Sequence, residues 1–314
     1  MTDRPLISLG TRGSPLAIAQ TEAVRLALAA AVPELAAPGA VAIVPIRTTG
    51  DRILDRPLAE FGGKGMFTRE IDEALLSGAV DAAVHSMKDV PTVLPEGIVL
   101  PAMLPREDPR DAILCLSRPR PAGLADLPPG AVVGTASLRR SAFVKARRPD
   151  LRVVTFRGNV HTRLAKLSEG LADVTLLAAA GLSRLGMLDR AAAILPVSEM
   201  LPAVAQGAIG ITCRKGDDRL LDWLARIADE KTMIEVACER AFLAVLDGSC
   251  RTPIGGLARL AGGRLDFSGA LARTDGSAVF SADRSGPAAD ADAAARIGAD
   301  AGAEVRAEAG PAAP

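Results

Sequence analysis

A chain of 314 residues, with 49% hydrophobic residues and zero formal net charge, has enough apolar material for two or three ordinary cores, and three domains are expected. No apolar run reaches the roughly 20 residues of a membrane span, and no global field draws the chain to nucleic acid or to an anionic membrane. The start reaches Leu6-Ile7-Ser8-Leu9 too soon for a secretory leader, so a cytoplasmic location is expected. Cys115, Cys213, Cys238 and Cys250 lack the spacing of a zinc site or disulfide framework and are expected as free thiols. With only His85 and His161 in the chain, no metal site is expected.

In chain order, Ile7-Ser8-Leu9-Gly10-Thr11-Arg12-Gly13-Ser14-Pro15 reads as a short strand, a glycine turn, a Ser N-cap and a Pro at the first helical position, with the helix running to about Ala31. Thr48 to about Leu58 reads as a mobile loop over a cleft. Phe61 to Phe67 holds Gly-Lys but lacks the spacer and following Ser/Thr of a phosphate loop, which excludes that reading. Val132 to Arg140 repeats strand, Gly-Thr, Ser cap and helix. Gly78 to Val84 resembles Gly170 to Leu176, so two related α/β units with parallel or mixed sheets are expected. Beyond Trp223, Thr232 and Glu235 form a capping-box pattern for a helix that ends at Asp247-Gly248. Gly262-Gly263 and Asp275-Gly276 separate hairpin strands, a helix is expected from about Ala288 to Ala307, and the final five residues are expected to be disordered.

Helix N-termini expose unpaired N–H groups and a positive dipole end, so each Gly-Thr-Ser turn is an anion seat. An ordinary capped helix explains either turn alone; Arg12 in one and Arg139-Arg140 in the other favour binding. Only six of the 37 Lys and Arg residues are lysine. Arginine concentrates again at Arg157, Arg163 and Arg184, and a planar guanidinium makes paired hydrogen bonds to a carboxylate. With no tyrosine, one tryptophan and 3% aromatics, little is available to stack on bases, so carboxylate ligands are favoured over nucleic acid.

The strand holding Val84 ends in His85-Ser86-Met87-Lys88-Asp89-Val90-Pro91, an abrupt change from apolar to polar of the kind found at sites on α/β sheets. Asp89 reads as an acid or base, or as a turn residue before proline; His85 reads as a satisfied core histidine. Cys250 sits in a Gly- and Pro-flanked loop beside Arg251, which favours thiolate. On the residues alone, an inert loop thiol is the favoured reading of Cys250.

Taken in order, eight blocks resemble the porphobilinogen deaminase (hydroxymethylbilane synthase) family over nearly the whole chain. They are Thr11 to Ala17, Gly62 to Gly65, His85 to Pro91, Arg106 to Asp111, Gly134 to Arg140, Arg157 to Val160, Leu201 to Gly207 and the Cys250 loop. The resemblance implies two periplasmic-binding-protein-like α/β domains plus a small C-terminal α+β domain, with domain 1 at 1–104 and 205–227, domain 2 at 105–204 and domain 3 at 228–314. It implies a transferase of tetrapyrrole biosynthesis: four porphobilinogen molecules join a dipyrromethane primer, each losing ammonia, before hydrolysis releases hydroxymethylbilane.

By the same resemblance Cys250 carries the dipyrromethane through a thioether, and Asp89 stabilises positive charge on the pyrrole as the aminomethyl group leaves. Arg12, Lys88, Arg139, Arg140, Arg157, Arg163 and Arg184 receive carboxylates. Ser14, Ser86, Thr135, Ser137 and Gln206 add hydrogen bonds, Lys64 lies in the binding set, and Phe67 packs near the incoming ring. A monomer without nucleic-acid or membrane partners is implied. His161 and Glu60 depart from the family pattern. A non-enzymatic two-lobed anion-binding protein is the rival class, since it would need the same duplicated plan and arginines.

Overall fold

The computed structural model describes residues 5–52, 65–117, 119–248 and 252–310. Its first elements are β1 (Ile7–Arg12), α1 (Pro15–Ala31), β2 (Val41–Ile46), α2 (Thr49–Arg52), α3 (Arg69–Leu76), β3 (Ala82–Ser86) and β4 (Ile98–Met103). There follow β5 (Asp111–Cys115), β6 (Val132–Gly134), α4 (Leu138–Arg147), β7 (Arg152–Val154), α5 (Val160–Ser168), β8 (Val174–Ala178), α6 (Ala179–Arg184) and β9 (Ala193–Ile194). The chain closes with β10 (Ile209–Arg214), α7 (Asp218–Ala225), α8 (Glu230–Val245), β11 (Ile254–Ala261), β12 (Arg264–Ala272), β13 (Val279–Pro287) and α9 (Ala291–Ala309).

Described residues within Met1–Leu54, Gly63–Glu107 and Ala208–Met233 form one unit; those within Asp108–Gly207 and Ile234–Pro314 form the other. In the first unit the sheet order is β2-β1-β3-β10-β4, with β1 parallel to β2 and β3, and β10 antiparallel to both its neighbours. Ser14 caps α1 by accepting from the Ala17 N–H at 3.3 Å, and Pro15 occupies the first turn, where a missing N–H costs nothing. Ala17, Gln20, Thr21, Val24 and Leu28 give α1 one buried face, and Val24 and Leu28 pack with Leu9, Val84, Ile211 and Trp223.

The second unit repeats the pattern as β7-β6-β8-β5-β9: β6 is parallel to β7 and β8, and β5 is antiparallel to β8 and β9. The internal sequence similarity now has a structural meaning. Asp81 accepts the Ser8 N–H at 2.7 Å and Asp173 accepts the Val132 N–H at 2.7 Å, so equivalent carboxylates lock the corresponding strands β1 and β6 at equivalent points. The sheets are mixed because β10 and β5 each enter against the parallel strands.

A third, antiparallel sheet, β11-β12-β13, belongs to the second unit and carries α9 on it. The capping-box expectation at Thr232 and Glu235 is corrected. Helix α8 starts at Glu230, and Asp229 accepts the Thr232 N–H at 2.8 Å. Thr232 Oγ1 instead accepts the Arg106 N–H at 3.0 Å, and Glu235 accepts the Leu260 N–H at 2.9 Å. Asp229 offered a better-placed carboxylate one turn earlier, freeing the other two side chains for tertiary contacts.

α9 starts at Ala291 because Asp290 caps it, accepting the Ala293 N–H at 2.7 Å. It crosses α8 closely enough that a Cβ at Gly298 would lie 1.9 Å from the Cys238 carbonyl oxygen. Backbone cannot yield as a side chain does, so Gly298→Ala is expected to cost about 1–3 kcal/mol, read as a lower urea midpoint at unchanged slope. The expected loop from Thr48 is helical at Thr49–Arg52, and from Ile53 to Leu58 it lies outside the described residues, as do Glu60, Lys64, Cys250 and the last four residues.

Candidate functional site

Functional side chains gather in two clusters, one in each unit. In the first, β1 delivers Arg12, while β3 ends in a short 3-10 turn, Met87–Asp89, that delivers Lys88 and Asp89. Arg12, Ser14, Gln20, Phe67, Lys88 and Asp89 line one pocket, together with Ser86. Arg12 Nη1 lies 3.6 Å from Asp89 Oδ2, and Nη2 lies 2.5 Å from Asp51 Oδ1. The guanidinium carbon stands 4.2 Å from the centre of the Phe67 ring. Burial alone would lower the Arg12 pKa, but the hydrogen bond to Asp51 and the charges of Asp89 and Asp51 outweigh it, and Arg12 is held above its ordinary value.

Ser86 Oγ donates to Gln20 Oε1 at 2.9 Å, which fixes both at the pocket wall. His85, buried, pairs through Nε2 with Thr212 Oγ1 at 2.9 Å, and burial pushes its pKa down to about 4. It is a neutral core histidine. Among the described residues no group of His, Cys, Asp and Glu could hold a metal ion.

In the second cluster the Ser137 cap accepts the Arg140 N–H at 3.4 Å, and Thr135 Oγ1 accepts the Ser137 N–H at 3.2 Å. This turn starts α4 with Arg139 and Arg140 facing inward, and both are buried. Asp111 is fully buried between them. Arg139 Nη2 donates to Asp111 Oδ2 at 2.7 Å, and Arg140 Nη2 to Asp111 Oδ1 at 2.7 Å. Gln206 Nε2 adds bonds to Asp111 Oδ1 at 2.9 Å and to the Pro109 carbonyl at 2.7 Å. Burial would raise the Asp111 carboxyl, but the charges of Arg139 and Arg140 and the hydrogen bonds from Arg140 and Gln206 hold it well below the usual carboxylate range.

Further arginines stand near this cluster. Arg163 is lowered to about 10, first by burial and then by repulsion from Arg140 and Arg157. Its Nε donates to the Gly158 carbonyl at 3.0 Å. Arg139 Nε is buried with no hydrogen-bond partner among the described residues. Arg184 Nη2 donates to the Gly207 carbonyl at 2.6 Å.

The first unit therefore brings together Arg12, Ser14, Phe67, Ser86, Lys88 and Asp89; the second groups Thr135, Ser137, Arg139, Arg140, Arg163 and Gln206, with Arg157 acting on Arg163 by charge. Lys64 and Cys250 lie outside the described residues. Sequence reasoning missed Asp51, Gln20 and Asp111. Asp111 was visible as the last residue of the Arg106 to Asp111 block, and Gln20 as a polar residue three positions after Ala17 on the buried face of α1. Asp51 was hidden in a stretch read as a loop.

Comparison with known proteins gives the same direction. Residues 7–222 match the family described as "Porphobilinogen deaminase, dipyromethane cofactor binding domain", and residues 233–307 match "Porphobilinogen deaminase, C-terminal domain". The chain is 58% identical over 307 residues to the chloroplastic porphobilinogen deaminase of Oryza sativa subsp. japonica, covering 98% of this chain and 85% of the relative. It is 55% identical over 305 residues to the porphobilinogen deaminase of Nitrobacter winogradskyi, covering 97% and 94%. Among solved structures, the VFT2 domain of Bordetella pertussis BvgS aligns with a TM-score of 0.41 at 16% identity, covering 70% of this chain and 84% of that one. Matched in both its parts and sharing more than half its residues with relatives along almost its whole length, the chain belongs to the porphobilinogen deaminase family.

Proposed function

We propose that the chain is a hydroxymethylbilane synthase in which Asp89 drives the loss of ammonia from porphobilinogen and the arginine clusters hold the carboxylates of substrate and product. The observation that carries this reading is the gathering of arginines around Asp111, two of them, Arg139 and Arg140, buried. Closely set guanidiniums, one with a buried Nε that has no hydrogen-bond partner among the described residues, suit a ligand bearing several carboxylates. A dipyrromethane, with an acetate and a propionate on each ring, is such a ligand, so these residues fit the group for which the matched domain is named. Arg139, Arg140, Arg157, Arg163 and Arg184 would hold it, with Thr135 and Ser137 at the α4 N-terminus adding hydrogen bonds. When bound, it supplies the pyrrole carbon to which new units are joined.

The chain's own residues do the rest. Asp89 accepts hydrogen bonds from the pyrrole N–H and faces the positive charge that develops there as ammonia departs. Opposite charges at 4 Å are worth about 4 kcal/mol at an effective dielectric of 20, which is enough to matter by orders of magnitude in rate. Arg12, Ser14, Ser86 and Lys88 orient the substrate carboxylates, Phe67 packs on the ring, and Lys64 and Gln206 complete the set. Gln206 does so chiefly by steadying Asp111.

We assign three domains, 1–104 with 205–227, 105–204 and 228–314, and place the attachment point at Cys250. The other thiols suit that role poorly. Cys115, Cys213 and Cys238 are buried, and burial pushes Cys213 up to about 11 and Cys238 higher still. The described residues contain no helix long and apolar enough to cross a membrane. We take the enzyme to work as a cytoplasmic monomer. Family membership favours the enzyme over a binding receptor, and intact mass under denaturing conditions tests the choice. The wild type is expected to exceed its sequence mass by two linked pyrrole units, and Cys250→Ser to lose that excess. A wild type at its sequence mass, or an adduct that survives in Cys250→Ser, would refute the assignment.

A further inference from the structure

A guanidinium 3.6 Å from a catalytic carboxylate poses an electrostatic problem. When the C–N bond of the protonated aminomethyl group breaks, ammonia takes the electron pair and the pyrrole keeps the positive charge. Asp89 stabilises that charge only to the extent that Arg12 has not already spent the carboxylate's field. Without a second carboxylate on it, Arg12 would offset the charge of Asp89 where a cation must form.

The structure supplies a second carboxylate on the far edge of the same guanidinium. Asp51 takes Arg12 Nη2 at 2.5 Å and Nε at 3.2 Å, much closer than the approach of Nη1 to Asp89. Thr48 Oγ1 donates to Asp51 Oδ2 at 2.7 Å and anchors the carboxylate from within its own turn. Phe67 closes the face of the guanidinium and rests on the α2 backbone so tightly that a Cβ at Gly50 would lie 2.3 Å from the ring. The plane of Arg12 is therefore set by Asp51 and Phe67 together.

We propose that Asp51 is a positioning residue for the reaction: it neutralises Arg12 and fixes its orientation, so that Asp89 meets the developing cation as an uncompensated carboxylate. The proposal rests on the reading of Asp89 given above.

Steady-state kinetics on Asp51→Asn, Arg12→Gln and the double variant test it. Asp51→Asn is expected to lower kcat on the order of 30-fold, equivalent to about 2 kcal/mol at 1.36 kcal/mol per factor of ten, with KM for porphobilinogen within about threefold. Removing the stranded cation as well should restore kcat several-fold above the Asp51→Asn value, even though KM rises because Arg12 is lost. A residue that only supported the fold would give losses that add or worsen. Thr48→Val, which loosens Asp51 without deleting it, should shift kcat in the same direction by less, and serves if Asp51→Asn does not fold. An unchanged kcat in Asp51→Asn, or a double variant at or below it, would overturn the proposal. If Asp89→Asn turned over normally, the underlying reading would fail instead; an inactive Asp89→Asn beside an additive cycle would sink the Asp51 role alone.

Discussion

Asp89→Asn is expected to fold, to bind porphobilinogen with little change and to lose roughly 10³-fold in kcat. The substitution keeps the size of the side chain and its capacity to accept a hydrogen bond from a pyrrole N–H, while removing the charge that responds to a cation. Because that charge appears only as ammonia leaves, its loss should fall on kcat with KM nearly constant. Local geometry should survive. Asp89 closes a short turn whose own Val90 N–H to Met87 carbonyl bond does not involve the side chain. Its ion pair with Arg12 is longer than the one Arg12 makes with Asp51. Single-turnover ammonia release separates the outcomes, since a variant that binds but does not deaminate matches the assignment and one that deaminates at the wild-type rate does not.

Asp111→Ala should have the largest effect on stability. Asp111 is fully buried, receives charge-assisted bonds from Arg139 and Arg140 and a third partner in Gln206, and is the carboxylate that balances the two buried guanidiniums. Removing one partner of a buried ion pair leaves the rest uncompensated, at a cost of about 3–5 kcal/mol. Urea unfolding is the appropriate measurement, with a second signature in its pH dependence. The folded Asp111 carboxyl lies below its unfolded value of about 4, so in acid the unfolded state binds the extra proton and stability rises with pH. Its contribution is complete above about pH 4 and is lost as pH falls toward the folded value. The variant should lack that part of the acid-induced loss; a variant as stable as the wild type at neutral pH would remove Asp111 from the centre of the cluster.

Much of the frame could be read from the chain because it depends on neighbours in sequence. Ser14 and Ser137 cap helices three residues ahead, and Asp81 and Asp173 recur at equivalent offsets in duplicated segments. The turn that carries Asp89 was visible for a similar reason: β3 changes from buried Ala82 to Val84 into Lys88 and Asp89 within a few residues. What stayed hidden depends on chain segments that return from far away. Asp111 meets Arg139 and Arg140 only because β5 enters the second sheet beside β8, a pairing no local pattern announces. Asp51 reaches Arg12 across 39 positions from a turn whose glycine and charges look like an ordinary loop. Gln206 and Arg184 were assigned to ligand, yet both also serve backbone carbonyls, at Pro109 and Gly207.

Incubating the purified protein with porphobilinogen and counting products tests the account most directly. Four ammonia molecules should be released for each hydroxymethylbilane formed, with turnover abolished in Asp89→Asn. Porphobilinogen bound without release of ammonia would mark the chain as a carboxylate-binding protein and contradict the account.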